Sequence, residues 1–158
     1  MKFEAVGVFE YSHEPGTVAG TMEDDPKLAV PQAEKARRRN EVMAAQQDVA
    51  FARAAELAGH FDERNPTTTG KQFDVIIDSA MRSSGLSTSG VGKGGALYAG
   101  RTYFQAPQID AMTFVQSTEK LSPGELVRCA IVGSDGYDLI AKPVGELEKK
   151  VSLKVMGR

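Results

Sequence analysis

The sequence has little cysteine, no tryptophan and no long apolar run. Its 158 residues include one cysteine, Cys129, which excludes an internal disulfide and a metal site built from several thiolates. A single thiol is typical of a reducing compartment, so we expect a cytoplasmic protein. No stretch has the apolar length that a membrane span needs, and acids flank the N-terminal apolar run where a secretion signal has basic residues. We therefore expect neither a targeting segment nor a membrane partner.

Excess charge of one sign is also lacking. The net charge is −2, so no global basic field attracts nucleic acid. Residues 1–30 carry two lysines against six acids, whereas residues 66–145 balance seven basic against seven acidic residues. The length suits one modest domain, or a small domain with an appendage.

The sequence of the N-terminal part predicts a strand, a loop and a helix. Residues 5–9 form a non-alternating apolar run, which predicts a buried strand whose sheet partners are not evident nearby. Residues 19–30 are small, acidic and interrupted by proline, which predicts a loop. Residues 32–57 contain no glycine or proline and much alanine, so we expect a long helix that has Pro31 in its first turn and ends at Gly59.

Basic residues crowd the first turns of this helix. One interpretation is a patch that faces RNA or a protein partner. The other is a solvated face neutralised by neighbouring acids. The residues concerned are Lys35, Arg37, Arg38 and Arg39, with Glu34 and Glu41 beside them.

The second half has the pattern of a small barrel. Five short strands without an intervening helix predict a closed, five-stranded antiparallel β-barrel similar to an OB-fold, so the fold class is α+β with a long N-terminal helix. A glycine- and serine-rich loop at 79–96 lacks the Gly-Lys-Ser/Thr ending of a phosphate-binding loop. Residues 151–156 suggest an extra edge strand. The five predicted strands span residues 71–78, 97–106, 112–116, 125–132 and 137–144.

The chain is organised around residues 100–110, Gly-Arg-Thr-Tyr-Phe-Gln-Ala-Pro-Gln-Ile-Asp. Strand alternation predicts that Tyr103 and Phe104 point to opposite faces, one into a core and one toward a partner. Pro107 ends the strand because it has no N–H to donate. Arg101 and Asp110 bracket the unit with opposite charges.

Taken together, these motifs resemble a known family. Val-Gly-Val-Phe-x-Tyr-Ser-x-Glu-x-Gly-Thr at 6–17 precedes the arginine-rich helix. The predicted barrel then contains Gly-Arg-Thr-Tyr at 100–103, Leu-x-Pro-Gly-Glu at 121–125 and Asp-x-Tyr-Asp-Leu at 135–139. This order resembles the C-terminal part of the radical S-adenosylmethionine methylthiotransferases of the RimO type, and the barrel resembles their TRAM domain. The resemblance implies methylthiolation of an aspartate in a small-subunit ribosomal protein.

The resemblance also implies how the chain is divided. Residues 1–65 would be a remnant of the radical S-adenosylmethionine domain, residues 66–145 the TRAM barrel and residues 146–158 a tail. The family uses iron–sulfur clusters held by several cysteines together with S-adenosylmethionine, and Cys129 alone cannot supply those ligands. We therefore expect a fragment that binds no cofactor and has no activity of its own, with recognition of a ribosomal protein as its role. The alternatives are an RNA-binding module, a fragment of the tRNA-modifying branch of the family, and a non-functional remnant.

Candidate site residues follow from matching motif positions. On the barrel, the resemblance and the aromatic pair predict substrate contacts for Arg101, Tyr103, Phe104, Asp110, Tyr137 and Asp138. At the mouth of the family's catalytic barrel, Tyr11, Ser12 and Thr17 would face the cofactor or substrate. An alternative is that Arg101, Asp110 and Asp138 form an internal network that fixes the barrel turns. The family pattern often has an acid where Gln105 or Gln108 stands, which implies a less acidic surface here.

Overall fold

The structure is a computed structural model, and it describes residue 3 and residues 6–81, 95–107 and 111–156. The chain separates into two compact units, Met1–Ala50 and Phe51–Arg158. Asp110 and most of the predicted loop, residues 82–94, lie outside the described residues. The predicted division into 1–65, 66–145 and 146–158 stays a prediction.

The first unit contains a short helix where a loop was predicted. Helix α1 spans Val18–Asp24, and its N-cap Thr17 accepts a hydrogen bond from Gly20 N–H at 2.9 Å. A capping hydroxyl satisfies one of the free N–H groups of a first helical turn, which explains why an acidic, glycine-containing segment forms a helix here. The loop prediction for this part of residues 19–30 was therefore wrong.

The strand predicted at residues 5–9 was also wrong. Residues 6–10 have no regular secondary structure, and Phe9 is 93% exposed. A strand is stable when its backbone groups pair with neighbouring strands, and all the strands that the structure describes lie in the barrel.

The long helix was predicted correctly. Helix α2 spans Gln32–Gly59 and begins directly after Pro31. On its first turns Glu34 pairs with Arg37 and Arg38, which hold the pKa of the Glu34 carboxyl at about 2. These ion pairs support the interpretation of a neutralised, solvated face.

A closed five-stranded barrel forms most of the second unit. Its strand order is β1-β2-β3-β5-β4. Four of the strand pairs are antiparallel, but β3 and β5 run parallel, so the prediction of a fully antiparallel barrel needs this correction. The pairing of β3 with β5 closes the barrel, and these two strands are not consecutive in the sequence. The strands are β1 (Gln72–Met81), β2 (Ala96–Arg101), β3 (Thr113–Ser117), β4 (Leu126–Asp135) and β5 (Asp138–Pro143).

Apolar side chains from every strand fill the barrel. The residues from β1, β4 and β5 alternate along their strands, as expected for side chains that point inward at every second position. Two residues from the end of α2, Ala54 and Leu57, pack with them. The core consists of Val75, Ile77, Tyr98, Val115, Leu121, Cys129, Ile131, Leu139 and Ala141 together with these two.

The tail forms a helix instead of the suggested edge strand. Helix α3 spans Val144–Met156. Its first-turn residue Glu146 accepts hydrogen bonds from Thr118 N–H at 3.0 Å, from Thr118 Oγ1 at 2.7 Å and from the hydroxyl of Ser117. A negatively charged group in a first helical turn also offsets the positive end of the helix dipole. These contacts tie the helix to the end of β3, which explains why residues 151–156 do not form a strand.

Candidate functional site

A buried amide organises the turn at the centre of the 100–110 motif. The Oε1 atom of Gln105 accepts hydrogen bonds from Thr102 N–H at 2.9 Å, Thr102 Oγ1 at 3.1 Å and Thr113 Oγ1 at 2.7 Å. All three side chains are less than 10% exposed. Gln105 is therefore a buried structural residue, and the inference that it belongs to the surface was wrong.

The turn presents two aromatic rings. Strand β2 ends at Arg101, so Tyr103 and Phe104 lie in the turn and not on opposite faces of a strand as predicted. Tyr103 is 87% exposed and Phe104 is 37% exposed. Their ring centroids lie 5.2 Å apart, and Phe104 packs edge-on against Phe73 of β1 at 5.3 Å. These three residues form what we call the aromatic cluster.

Arg101 pairs with an acid that the sequence pattern did not single out. Its Nη1 atom forms an ion pair with Oδ1 of Asp78. Asp78 lies at an irregularity in the β1–β2 pairing, where the register shifts between Ile77 and Ser79. Such a bulge re-aims side chains and is not visible in strand alternation, which explains why Asp78 was missed.

Asp138 holds a neighbouring loop. Its Oδ1 atom accepts a hydrogen bond from Met112 N–H at 2.8 Å, and Leu139 N–H donates to the Met112 carbonyl at 3.0 Å. This contact fixes the backbone just before β3. It agrees with the part of the internal-network alternative that concerns Asp138, whereas Arg101 is paired with Asp78 instead.

Tyr137 lies in the β4–β5 hairpin and contacts the end of α2. Its ring packs edge-on against Phe51, with centroids 4.7 Å apart. The two loop residues of the hairpin are Gly136 and Tyr137, since Asp135 pairs with Asp138, and Gly136 has φ of +59°, a left-handed conformation that favours glycine. Tyr137 is still 44% exposed, so it remains partly open to solvent.

The first unit places its three candidate residues around the start of α1. Thr17 caps the helix and also donates from Oγ1 to the Glu14 carbonyl at 2.9 Å. The hydroxyl of Tyr11 accepts from Glu14 N–H at 3.3 Å, and Lys35 Nζ lies 5.2 Å from the centre of the Tyr11 ring. Ser12 is exposed. The structure brings Tyr11 and Thr17 onto the same short segment, where both contact Glu14.

The lone thiol does not suit a cluster ligand. Cys129 is fully buried in the barrel core, and burial raises the pKa of its thiol to about 12. Iron–sulfur clusters are bound by thiolates, and the sequence has no second cysteine. The residues of this chain therefore do not fit an iron–sulfur cluster.

The described part of the chain contains neither a metal-binding cluster nor a membrane-spanning helix. Within it, no three His, Cys, Asp or Glu side chains are grouped so that they would hold a metal ion. In the same residues, no helix is both long and apolar enough to cross a membrane.

Comparison with known proteins identifies both the barrel and its context. Residues 69–144 match the TRAM domain family. The chain is 33% identical over 140 residues to the ribosomal protein uS12 methylthiotransferase RimO of Lachnoclostridium phytofermentans, a match that covers 89% of this chain and 26% of the relative. It is 30% identical over 148 residues to the RimO protein of Acetivibrio thermocellus, covering 94% of this chain and 27% of the relative.

A third RimO protein, from Anaeromyxobacter sp., is 34% identical over 144 residues, with 91% of this chain and 25% of the relative covered. The chain thus spans about a quarter of the length of the relatives it matches. Residues 69–144 therefore carry a TRAM domain, and the chain resembles a C-terminal part of the RimO-type ribosomal protein methylthiotransferases.

Proposed function

We propose that this chain serves a RimO-type methylthiotransferase as the part that recognises the protein substrate, and that the aromatic cluster provides the central contact. The relatives are named for their action on ribosomal protein uS12, so uS12 is the proposed partner. The catalytic module, with its iron–sulfur clusters and S-adenosylmethionine, would lie outside this chain.

The observation that carries the proposal is the exposed Tyr103 on a rigid turn. A large aromatic side chain that is 87% exposed gains contact area when a partner covers it, and tyrosine is enriched at the centre of protein interfaces. The Gln105 hydrogen bonds fix the turn before the partner arrives. Preorganisation of this kind lowers the entropy that binding costs.

The charges around the cluster favour a protein over a nucleic acid. Arg101 is paired with Asp78, and Arg128 is paired with Asp74 at 3.3 Å. Phosphate binding draws most of its affinity from basic side chains that are available to neutralise the backbone. These two arginines are already neutralised by carboxylates, so this part of the barrel has little positive potential to attract phosphate.

The test is a titration of the purified chain with uS12 and with a peptide copying the uS12 loop that carries the modified aspartate. We expect binding that changes little with salt, and about tenfold weaker binding for Tyr103→Ala, or roughly 1.4 kcal/mol. Met112→Ala is the matched control, because Met112 is an exposed apolar residue outside the cluster. Absence of binding at millimolar concentration, with the barrel folded, would contradict the proposal.

The second candidate function is RNA binding. Aromatic rings on OB-like barrels also stack nucleobases, and the cluster offers such a surface. Binding of transfer RNA that weakens steeply with salt, together with no binding of uS12, would favour this function and the tRNA-modifying branch of the family.

A further inference from the structure

The outer surface of three neighbouring strands forms a small ordered face. Val75 and Ile77 point into the core, so Ile76 between them points outward from β1. The register places Ile76 opposite Arg101 of β2 on one side and opposite Leu126 of β4 on the other. One row across the barrel therefore reads Arg101, Ile76, Leu126.

Along the strand direction, an ion pair flanks this row on each side. Asp74 is opposite Arg128 in the register, and their side chains pair at 3.3 Å. Two positions beyond Ile76, Asp78 pairs with Arg101. We call this surface the sheet face, and its members are Asp74, Ile76, Asp78, Arg101, Leu126 and Arg128.

At the apolar centre of the sheet face, Ile76 is half-buried and Leu126 is open to solvent. Leu126 is 67% exposed, the highest value among the large apolar residues in the strands of the barrel that the structure describes. An exposed leucine by itself is ordinary. Here it sits beside a second apolar residue and between two formed ion pairs, an arrangement with an apolar centre and a polar rim that contains arginine, as protein interfaces have.

We propose that the sheet face docks a short extended segment of the protein substrate, with an apolar side chain over Ile76 and Leu126. This inference rests on the proposed function, because the segment belongs to the protein that the aromatic cluster would recognise. Tyr103 follows Arg101 by two residues on the same chain segment, so both surfaces are reached by one extended partner.

The size of the face selects this occupant over a second copy of the chain. Asp74 and Asp78 are four residues apart along the strand, a span of about 13 Å, and three strands are about 10 Å across. That area is far below the roughly 800 Å² per partner of a stable globular interface. A five-residue extended segment has the same length of about 13 Å.

The charges of the sheet face determine which residues the docked segment can contain. The face contains two arginines and two aspartates, which are paired with one another, so its net charge is zero. A strongly charged segment would face a like charge at each ion pair. The segment that fits is close to neutral, with its apolar residue at the centre.

The experiment compares uS12 binding by the full chain and its variants. Leu126→Lys is expected to weaken binding about tenfold, because it places a charge in the apolar centre. Leu126→Met, which keeps the apolar contact, should bind like the wild type. Met112→Lys introduces the same charge at an exposed apolar position outside the face and should change binding less than about twofold.

Each outcome has a distinct meaning. Thermal unfolding of every variant shows whether the barrel is intact, and Leu126→Ser provides a second, uncharged disruption if Leu126→Lys does not fold. Wild-type affinity for both Leu126→Lys and Leu126→Ser, with weakened binding for Tyr103→Ala, would overturn the docking role of the sheet face and leave the proposed function intact. Lack of uS12 binding by the folded wild-type chain would overturn both.

Discussion

The hydroxyl of Thr113 donates a 2.7 Å hydrogen bond to the side-chain carbonyl of Gln105, across the gap between the start of β3 and the turn that follows β2. Thr102 adds its own N–H and hydroxyl to the same oxygen. Two segments of the barrel are thereby joined by one buried amide. The conformation of the turn that presents Tyr103 depends on this junction.

Removal of the amide should destabilise the barrel. Gln105→Ala would leave the Thr102 N–H and the two threonine hydroxyls without their acceptor in a buried environment, so we expect a loss of about 2 kcal/mol in the free energy of unfolding. Urea denaturation measures this loss. Gln116→Ala, a partly exposed glutamine on the same strand as Thr113, is the control and should cost less than about 0.5 kcal/mol. Equal effects of the two substitutions would contradict the structural role of Gln105.

Glu146 accepts hydrogen bonds from Ser117 and Thr118 at the end of β3, and we call this contact the clamp. The clamp makes the free energy of unfolding depend on pH. Partial burial by itself raises the pKa of Glu146, but hydrogen bonds from Ser117, Thr118 and the backbone outweigh it and lower the pKa below its usual value of 4.5. A depressed folded-state pKa means that the stabilisation is fully present above about pH 4.5 and is lost as pH falls through the lower folded-state pKa.

Glu146→Gln tests this clamp. At pH 7 we expect the variant to be less stable by roughly 1 kcal/mol, because it loses hydrogen bonds to a charged acceptor at a partly exposed site. The difference from wild type should shrink as pH falls below 4.5. Urea unfolding at pH 7 and pH 3 measures it, with Glu148→Gln, on the exposed side of the same helix, as the control. A difference that stays constant between the two pH values would contradict the assignment.

Local chemistry explains what was predictable from the sequence. The Asp135-Gly136 turn and the alternation around Cys129 predicted the β4–β5 hairpin, since both signals depend on neighbouring residues. The absence of glycine and proline predicted α2. The parallel pairing of β3 with β5 was not predicted, because it depends on how distant strands close the barrel.

The site was less predictable than the fold for the same reason. The motif around Tyr103 indicated an exposed aromatic residue, but the turn that follows Arg101 depends on a buried hydrogen bond from Thr113 to Gln105, which is eight residues earlier in the chain. The partner of Arg101 is Asp78, which a bulge brings into reach. Helix α1 depends on the Thr17 cap, a feature that the acidic composition of residues 19–30 concealed.

Gly100 is required by close packing between β1 and β2. A Cβ atom at this position would lie 2.6 Å from the Ile76 carbonyl oxygen and 2.8 Å from Val75 Cγ1. Because the nearest atom belongs to the backbone, the strands would have to move apart, and we expect Gly100→Ala to cost about 2 kcal/mol or more. Gly133→Ala is the matched control in β4, since its Cβ would meet Ile140 side-chain atoms at an ordinary 3.5 Å. Thermal denaturation that ranks the two variants equally would contradict this requirement.

The buried thiol of Cys129 should be protected from reagents until the barrel unfolds. Desolvation is the main cause of its raised pKa of about 12, with smaller contributions from the charges of Glu146 and Asp74. A protonated, inaccessible thiol reacts slowly with a disulfide reagent, so we expect almost no reaction at pH 8 in native buffer and one equivalent in urea. Rapid reaction of the native protein at this pH, at the rate seen in urea, would show that the core opens easily.

The same thiol predicts weaker stability in alkali. In the unfolded chain it ionises near its usual value of 9.0, whereas in the barrel it stays protonated to about pH 12. Ionisation therefore stabilises the unfolded state as pH rises above 9, and the free energy of unfolding falls. Cys129→Ala removes this titration, so the difference between wild type and variant measured by urea unfolding should decrease from pH 8 to pH 10. A difference that does not change over this range would mean that the thiol already ionises within the folded barrel.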